Sequence, residues 1–116
     1  MSQGTIVVTG AAGFIGSNIV KALNSRGISD VIAVDDLSDG TKFANLSPLQ
    51  ICDYWDYQEL HKRLSCRAAT PRLRAILHQG ACSETTEWDG RYMMRVNYTY
   101  SRDLLEWCQS NQVPLV

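Results

Sequence analysis

The sequence predicts an α/β fold built on a doubly wound parallel sheet. Short runs of apolar, mostly β-branched residues alternate with longer stretches in which apolar residues recur every three or four positions, the pattern of successive βαβ units. The first of these runs leads directly into a glycine-rich turn. Short strands joined by helices imply right-handed crossovers, so ligands are expected beyond the carboxyl ends of the strands, where the strand order reverses.

The first half of the chain contains three predicted elements. Residues 5–9 are all β-branched and form a buried strand that Gly10 ends. Residues 14–26 carry apolar side chains at helical spacing, and Gly27 terminates that helix. The apolar run at residues 31–34 is the second strand. These elements form the first βαβ unit.

The second half continues the series with less regular patterns. It predicts a weak strand at 49–52, a helix at 55–64, a strand at 75–78, a long helix with one apolar stripe at 92–110 and the opening of a fifth strand at 113–116. The fourth strand would then lack a partner on one side, which favours self-association and marginal stability. We expect residues 1–116 to be the N-terminal part of one domain, without room for a second.

Composition and charge exclude several classes of function. The net charge is −1, and no run of Lys or Arg indicates a nucleic-acid partner. No apolar stretch reaches the roughly 18 residues of a membrane span, and the N-terminus has no signal-peptide pattern, so a cytoplasmic protein is expected. The 4 cysteines form no CxxC pair, so we expect no metal site, and we expect reduced, mostly buried thiols.

The glycine turn is the strongest functional signal in the sequence. Gly10, Gly13 and Gly16 lie between a buried strand and an amphipathic helix. In that order they permit a tight turn, the approach of a pyrophosphate to the backbone, and close packing of helix on strand. Helix N-terminal amides then face the anion. Because no Gly-Lys-Ser/Thr follows, the turn predicts a Rossmann-type dinucleotide site and no triphosphate loop.

Charged residues after the second strand bear on the choice between NAD and NADP. Asp35 and Asp36 lie about 20 residues beyond the last glycine, where a carboxylate commonly binds the ribose hydroxyls. An acid there favours NAD and repels a 2′-phosphate, whereas Lys42 on the same loop could pair with that phosphate. The residues themselves leave both cofactors open.

Several segments together resemble a known family. They are the glycine turn, Asp35-Asp36-Leu37, Gly40-Thr41-Lys42-Phe43 and His78-Gln79-Gly80-Ala81-Cys82-Ser83. The chain resembles the extended short-chain dehydrogenases/reductases that act on nucleotide sugars. The residues from Gly80 through Glu87-Trp88-Asp89-Gly90 to Met94 are most similar to the ADP-L-glycero-D-manno-heptose 6-epimerases of lipopolysaccharide core synthesis. The likeness covers the whole chain, which is about the first third of such an enzyme.

The resemblance implies an NADP-dependent isomerase. Such enzymes oxidise a sugar carbon, expose the other face of the ketone, and return the hydride with inverted configuration. It further implies an ADP-activated heptose as substrate and a homo-oligomeric full-length protein. The cofactor contacts that it implies are Phe14 and Ile15 at the glycine turn, Asp35 and Asp36 on the ribose, Lys42 on the 2′-phosphate, the backbone of Gln79, Gly80, Ala81, Cys82 and Ser83 toward the nicotinamide, and Asn97.

The sequence departs from the family pattern at three places. Tyr57 stands where a second phosphate-binding lysine is frequent, and Val96 stands where an asparagine contacts the cofactor, although Asn97 beside it is kept. No tyrosine is followed four residues later by lysine, and the catalytic serine after the fifth strand is also missing. We therefore expect no catalytic residue here, and a truncated chain that binds a cofactor without epimerising a sugar.

Two other functions stay open. One is a non-catalytic dinucleotide-binding module, which predicts a natural stop after Val116, whereas an epimerase predicts a reading frame that continues into Tyr-x-x-x-Lys. The other is a different nucleotide-sugar epimerase or dehydratase of the extended family. Of the 2 histidines, His78 is expected to be packed in the core and His61 to lie on the surface.

Overall fold

The computed structural model describes residues 4–35, 44–65, 72–79 and 100–116. Its strands are β1 (Thr5–Thr9), β2 (Val31–Asp35), β3 (Asp53–Asp56) and β4 (Leu73–His78), and its helices are α1 (Phe14–Ser25), α2 (Tyr57–Ser65) and α3 (Tyr100–Asn111). The strands form one parallel sheet in the order β3-β2-β1-β4. This Rossmann-like arrangement confirms the predicted fold class.

The strand order places a switch point at β1. From β1 the chain crosses to β2 and β3 on one side, and it later returns to β4 on the other. Every residue of β1 and β2 is buried, as expected for central parallel strands that are covered on both faces. The carboxyl end of β1 is therefore the place where a sheet of this kind binds ligands.

Alternate residues of the central strands supply two cores. Val7, Ile32 and Val34 face one side, and the residues that cover them from the second and third helices include Leu60, Leu64, Leu104 and Cys108. Ile6, Val8 and Ala33 face the other side, where Ala11, Ala12, Val20 and Leu46 cover them. The period-two alternation of the strands separates the two groups.

The third strand lies four residues later than predicted. The apolar pattern pointed to residues 49–52, but β3 is Asp53–Asp56. Leu49 and Ile51 pack beside the sheet against the core on the α1 face instead, which explains their apolar character. Trp55 belongs to β3, so α2 starts at Tyr57 and not at residue 55.

Side chains fix the start of α2 and its contact with α3. Asp56 Oδ1 accepts a hydrogen bond from the amide of Gln58 (3.0 Å) and so caps the helix. On the same helix, His61 Nε2 lies 2.8 Å from Asp103 Oδ2 on α3, with the His61 side chain 43% exposed. The predicted surface histidine thus lies at the junction of two helices.

The outer side of β4 is paired, contrary to the prediction. The amide of Ile76 donates to the Pro114 carbonyl (2.9 Å), Val116 donates to Ile76 (3.0 Å), and His78 donates to Val116 (2.8 Å). Leu115 forms a parallel bridge with Ile76. The last residues therefore begin a fifth strand, as predicted, and they cover the edge that was expected to be open.

Three further predictions can be compared with the described residues. Cys108 is buried, but Cys52 is exposed, so the expectation of buried thiols is wrong for Cys52; Cys66 and Cys82 lie outside the described residues. The long predicted helix is described from Tyr100 onward. None of the helices in the described ranges has the length and apolar character needed to cross a membrane.

Candidate functional site

The turn after β1 is held by backbone hydrogen bonds that leave little freedom. Gly10 has φ +66°, a left-handed conformation that favours glycine. The amide of Gly13 donates to the Gly10 carbonyl (3.0 Å), and the amide of Ala11 donates to Val34 at the end of β2 (3.1 Å). The turn is therefore tied both to itself and to the neighbouring strand.

Gly16 and Gly13 meet different surroundings. A Cβ atom on Gly16 would lie 2.0 Å from the Gly10 carbonyl oxygen and 2.7 Å from its carbon, so α1 packs against the turn at a distance that excludes any side chain. A Cβ atom on Gly13 would meet only the Gly10 oxygen, at 3.3 Å. Gly16 thus serves helix packing, whereas a Cβ on Gly13 would make one tight contact that a shift of a few tenths of an ångström relieves.

The first turn of α1 has the properties of an anion-binding helix terminus. Gly13 is the N-cap residue and supplies no capping side chain, and no acidic residue lies in the first turn. Among the described residues, none accepts a hydrogen bond from the amides of Phe14 or Ile15, whose residues are 82% and 62% exposed. Such amides and the positive end of the helix dipole attract a phosphate.

Asp35 supports the turn from the end of β2. It is buried, and its Oδ2 accepts a hydrogen bond from the amide of Ala12 (2.8 Å). Its carbonyl accepts a hydrogen bond from the Tyr54 hydroxyl (2.6 Å). One carboxylate oxygen of Asp35 therefore holds the glycine turn, while its contact with a ribose stays a prediction.

Asn45 is a second support that the sequence did not reveal. Its Nδ2 donates to the Ala12 carbonyl at 2.8 Å, from a short turn that follows the undescribed residues 36–43. Leu46 beside it is buried against Ala11 and Ala12. Neither Asn45 nor Tyr54 belongs to a motif, so no local signal could have singled them out.

His78 joins β4, β1 and α3 at the carboxyl edge of the sheet. Its Nδ1 lies 2.6 Å from Thr9 Oγ1, and its Nε2 lies 2.8 Å from Ser101 Oγ. Thr9 Oγ1 also accepts a hydrogen bond from the amide of Gln79 (3.0 Å), and the tautomer of the imidazole decides which group donates in its bonds to Thr9 and Ser101. Burial lowers the pKa of His78, which favours a neutral ring. His78 is a packed residue, as predicted.

The structure brings part of the predicted site together. The glycine turn, Phe14, Ile15 and Asp35 surround one strand–helix junction, and Gln79 lies on the neighbouring strand end, bonded to Thr9. The other predicted cofactor contacts lie outside the described residues; they are Asp36, Lys42, Gly80, Ala81, Cys82, Ser83 and Asn97.

A match to one protein family extends over almost the whole chain, including this junction. The NAD dependent epimerase/dehydratase family matches residues 6–116. The chain belongs to this family. This membership agrees with the resemblance to the extended short-chain dehydrogenases/reductases. The family match does not distinguish heptose epimerases from other members of the family.

Solved structures share the fold of this family member. A UDP-glucose 4-epimerase from Thermus thermophilus in complex with NAD is 27% identical, with a TM-score of 0.67 over 94% of this chain. A UDP-galactose 4-epimerase is 31% identical, with a TM-score of 0.66 over 94% of this chain. The Bordetella bronchiseptica enzyme WbmG, in complex with NAD and UDP, is 19% identical over 97% of this chain (TM-score 0.69) and shows the fold alone. The chain spans only 35%, 35% and 36% of these proteins, respectively.

Proposed function

We propose that this chain binds a nicotinamide dinucleotide at the N-terminus of α1, as the cofactor-binding part of a nucleotide-sugar epimerase. The observation that carries the proposal is the pair of amides at Phe14 and Ile15, which no described side chain caps. A diphosphate would provide the acceptors and the negative charge that this helix terminus lacks. Gly13 leaves the space through which it would approach.

The surrounding strands fit the two halves of a dinucleotide. With the diphosphate at the end of β1, the adenosine would extend toward β2 and Asp35, and the nicotinamide toward β4 and Gln79. Thr9 and His78 fix the backbone of Gln79 at that side. When bound, the nicotinamide supplies the hydride acceptor and donor; the protein residues around it bind and orient it.

We propose NADP as the preferred cofactor, with NAD as the alternative. Lys42 supports NADP through the predicted contact with a 2′-phosphate. Asp35 counts against it, because solvent screens the charge of this buried carboxylate little, and that charge repels such a phosphate. The NAD complex of the Thermus enzyme and the absence of a lysine at Tyr57 favour NAD.

We propose an ADP-activated heptose as the substrate of a longer protein that contains this chain. The support is the likeness of Glu87-Trp88-Asp89-Gly90 to the heptose 6-epimerases. The similarity to UDP-glucose and UDP-galactose 4-epimerases favours a UDP-hexose as the second candidate. Because the sequence contains no Tyr-x-x-x-Lys pair, the 116-residue chain would bind its cofactor without epimerising either sugar.

Calorimetric titration of the chain with NADP, NAD and ADP tests the proposal. All three should bind, because all contain the diphosphate, and NADP should bind most tightly. Lys42→Ala should weaken NADP binding by about tenfold, the equivalent of one charge-assisted hydrogen bond, and leave NAD binding unchanged. Lys21→Ala, which removes an exposed lysine farther along α1, is the matched control.

The outcomes separate the parts of the proposal. If NAD binds more tightly than NADP and Lys42→Ala has no effect, the cofactor is NAD and only the preference for NADP is wrong. If none of the three nucleotides binds, the chain is not a dinucleotide-binding unit.

A further inference from the structure

Ala12, in the glycine turn, is held by two side chains. Its amide donates to Asp35 Oδ2 (2.8 Å), and its carbonyl accepts from Asn45 Nδ2 (2.8 Å). Asp35 ends β2, whereas Asn45 belongs to the short turn around Leu46, beyond residues 36–43. Ala12 is thus held between two side chains of separate segments.

The carbonyl bond matters because of the peptide group to which it belongs. The Ala12 carbonyl and the Gly13 amide form one planar unit, and the Gly13 amide donates to the Gly10 carbonyl (3.0 Å). Asn45 therefore fixes one end of this unit while Gly10 fixes the other. The next two amides along the chain are those of Phe14 and Ile15.

We infer that Asn45 is a positioning residue for the dinucleotide: by holding the Ala12–Gly13 peptide, it aims the amides of Phe14 and Ile15 at the diphosphate. This inference rests on the proposed function. Asn45 itself is exposed, so its role in packing is small. Its hydrogen bond goes to the Ala12 carbonyl, which lies outside the strands and takes no part in the pairing of the sheet. The same geometry makes Asn45 separable from the stability of the core.

The chain contains a matched control at the other end of α1. Asn24 Nδ2 donates to the carbonyls of Ile28 (2.9 Å) and Gln50 (2.9 Å), and its Oδ1 accepts the amide of Gln50 (2.8 Å). Asn24 thus bonds the C-terminal end of α1 to the segment before β3, whereas Asn45, on that segment, bonds to the turn before α1. It lies roughly 15 Å along the helix from the proposed diphosphate site, as the rise of an α-helix requires.

The test compares Asn45→Ala with Asn24→Ala in the 116-residue chain. Calorimetric titration with ADP and NAD should show binding weakened by about tenfold in Asn45→Ala and by less than about twofold in Asn24→Ala, although the second variant loses more hydrogen bonds. Asn45→His, whose ring Nδ1–H occupies a position close to that of Nδ2, should recover part of the affinity. Neither alanine substitution adds charge, so repulsion of the phosphates does not enter.

A ligand-free measurement makes the test independent of affinity. In ¹H–¹⁵N spectra, the amide resonances of Phe14 and Ile15 should shift in Asn45→Ala and stay in place in Asn24→Ala. Unmoved Phe14 and Ile15 resonances, or equal losses of affinity in both alanine variants, would overturn the inference and leave the proposed function standing. A wild-type chain that binds neither ADP nor NAD would overturn the proposed function, and the inference with it.

Discussion

The three glycines of the first turn are required for different physical reasons, although the motif does not distinguish them. Gly10 is required by its positive φ, Gly16 by a carbonyl 2.0 Å from its missing Cβ, and Gly13 only by the ligand that we propose. Motif and spacing predicted all three positions. Only the tertiary structure separates the two that the fold needs from the one that binding needs.

Two substitutions test that separation. Gly13→Val should fold, because the Gly13 backbone is extended and a Cβ there meets one atom at 3.3 Å, but its side chain should abolish binding of NAD and NADP. Gly16→Ala should lower the free energy of unfolding by about 3 kcal/mol, since the added methyl collides with backbone. Urea unfolding and nucleotide titration of both variants check this. Unchanged affinity in Gly13→Val would contradict the diphosphate site.

The local pattern of apolar residues explains which elements could be located from the sequence and which could not. The buried strands and the first helix follow from local pattern, and their bounds agree with the prediction within one residue. The third strand was misplaced because its two interior residues, Tyr54 and Trp55, lie between aspartates, while an apolar segment outside the sheet precedes it. Pattern shows that a residue is buried, but not whether a sheet or a loop buries it.

The junction of β1, β4 and α3 predicts a pH-dependent stability. Burial lowers the pKa of His78 in the folded state, so the unfolded chain binds a proton more readily. The free energy of unfolding should therefore be highest above the ordinary histidine pKa of about 6.5 and decline as the pH falls below it. Urea unfolding between pH 7.5 and 5 measures this decline.

Two variants assign the decline to its source. His78→Gln should remove it, and His61→Gln, which changes the other histidine, should keep it. Asp103 does not interfere in this range: the hydrogen bond from His61 lowers the pKa of its carboxyl, so that contribution is complete above about 3.9 and is lost only in stronger acid. An equal decline in His78→Gln and in the wild type would refute the assignment.

At the scale of the whole molecule, residues 113–116 extend the sheet beyond β4. Val113 and Leu115 pack against the core on the α2 and α3 face, and the backbone of Pro114 and Val116 pairs with β4. The expectation of marginal stability assumed that this side of β4 was unpaired. β4 is therefore paired on both sides, with β1 and with residues 114–116.

Deletion of residues 114–116 tests the contribution of this pairing. It removes the hydrogen bonds to Ile76 and His78, each with a net value of about 1 kcal/mol, so the melting temperature should fall by roughly 10 °C or more. Val116→Ser is the control, because it keeps the backbone bonds and alters a side chain that is already exposed. Thermal melting followed by circular dichroism measures both, and a deletion that melts like the wild type would show that the pairing adds nothing.

The sequence by itself determined the parallel α/β class, the glycine turn and the acids after the second strand, because each depends on neighbouring residues and their period. The tertiary structure decided what supports the turn. Ala12 meets Asp35 and Asn45 across 23 and 33 residues, and Thr9 meets His78 across 69. Such contacts depend on the packing of separate elements, and no local pattern encodes them.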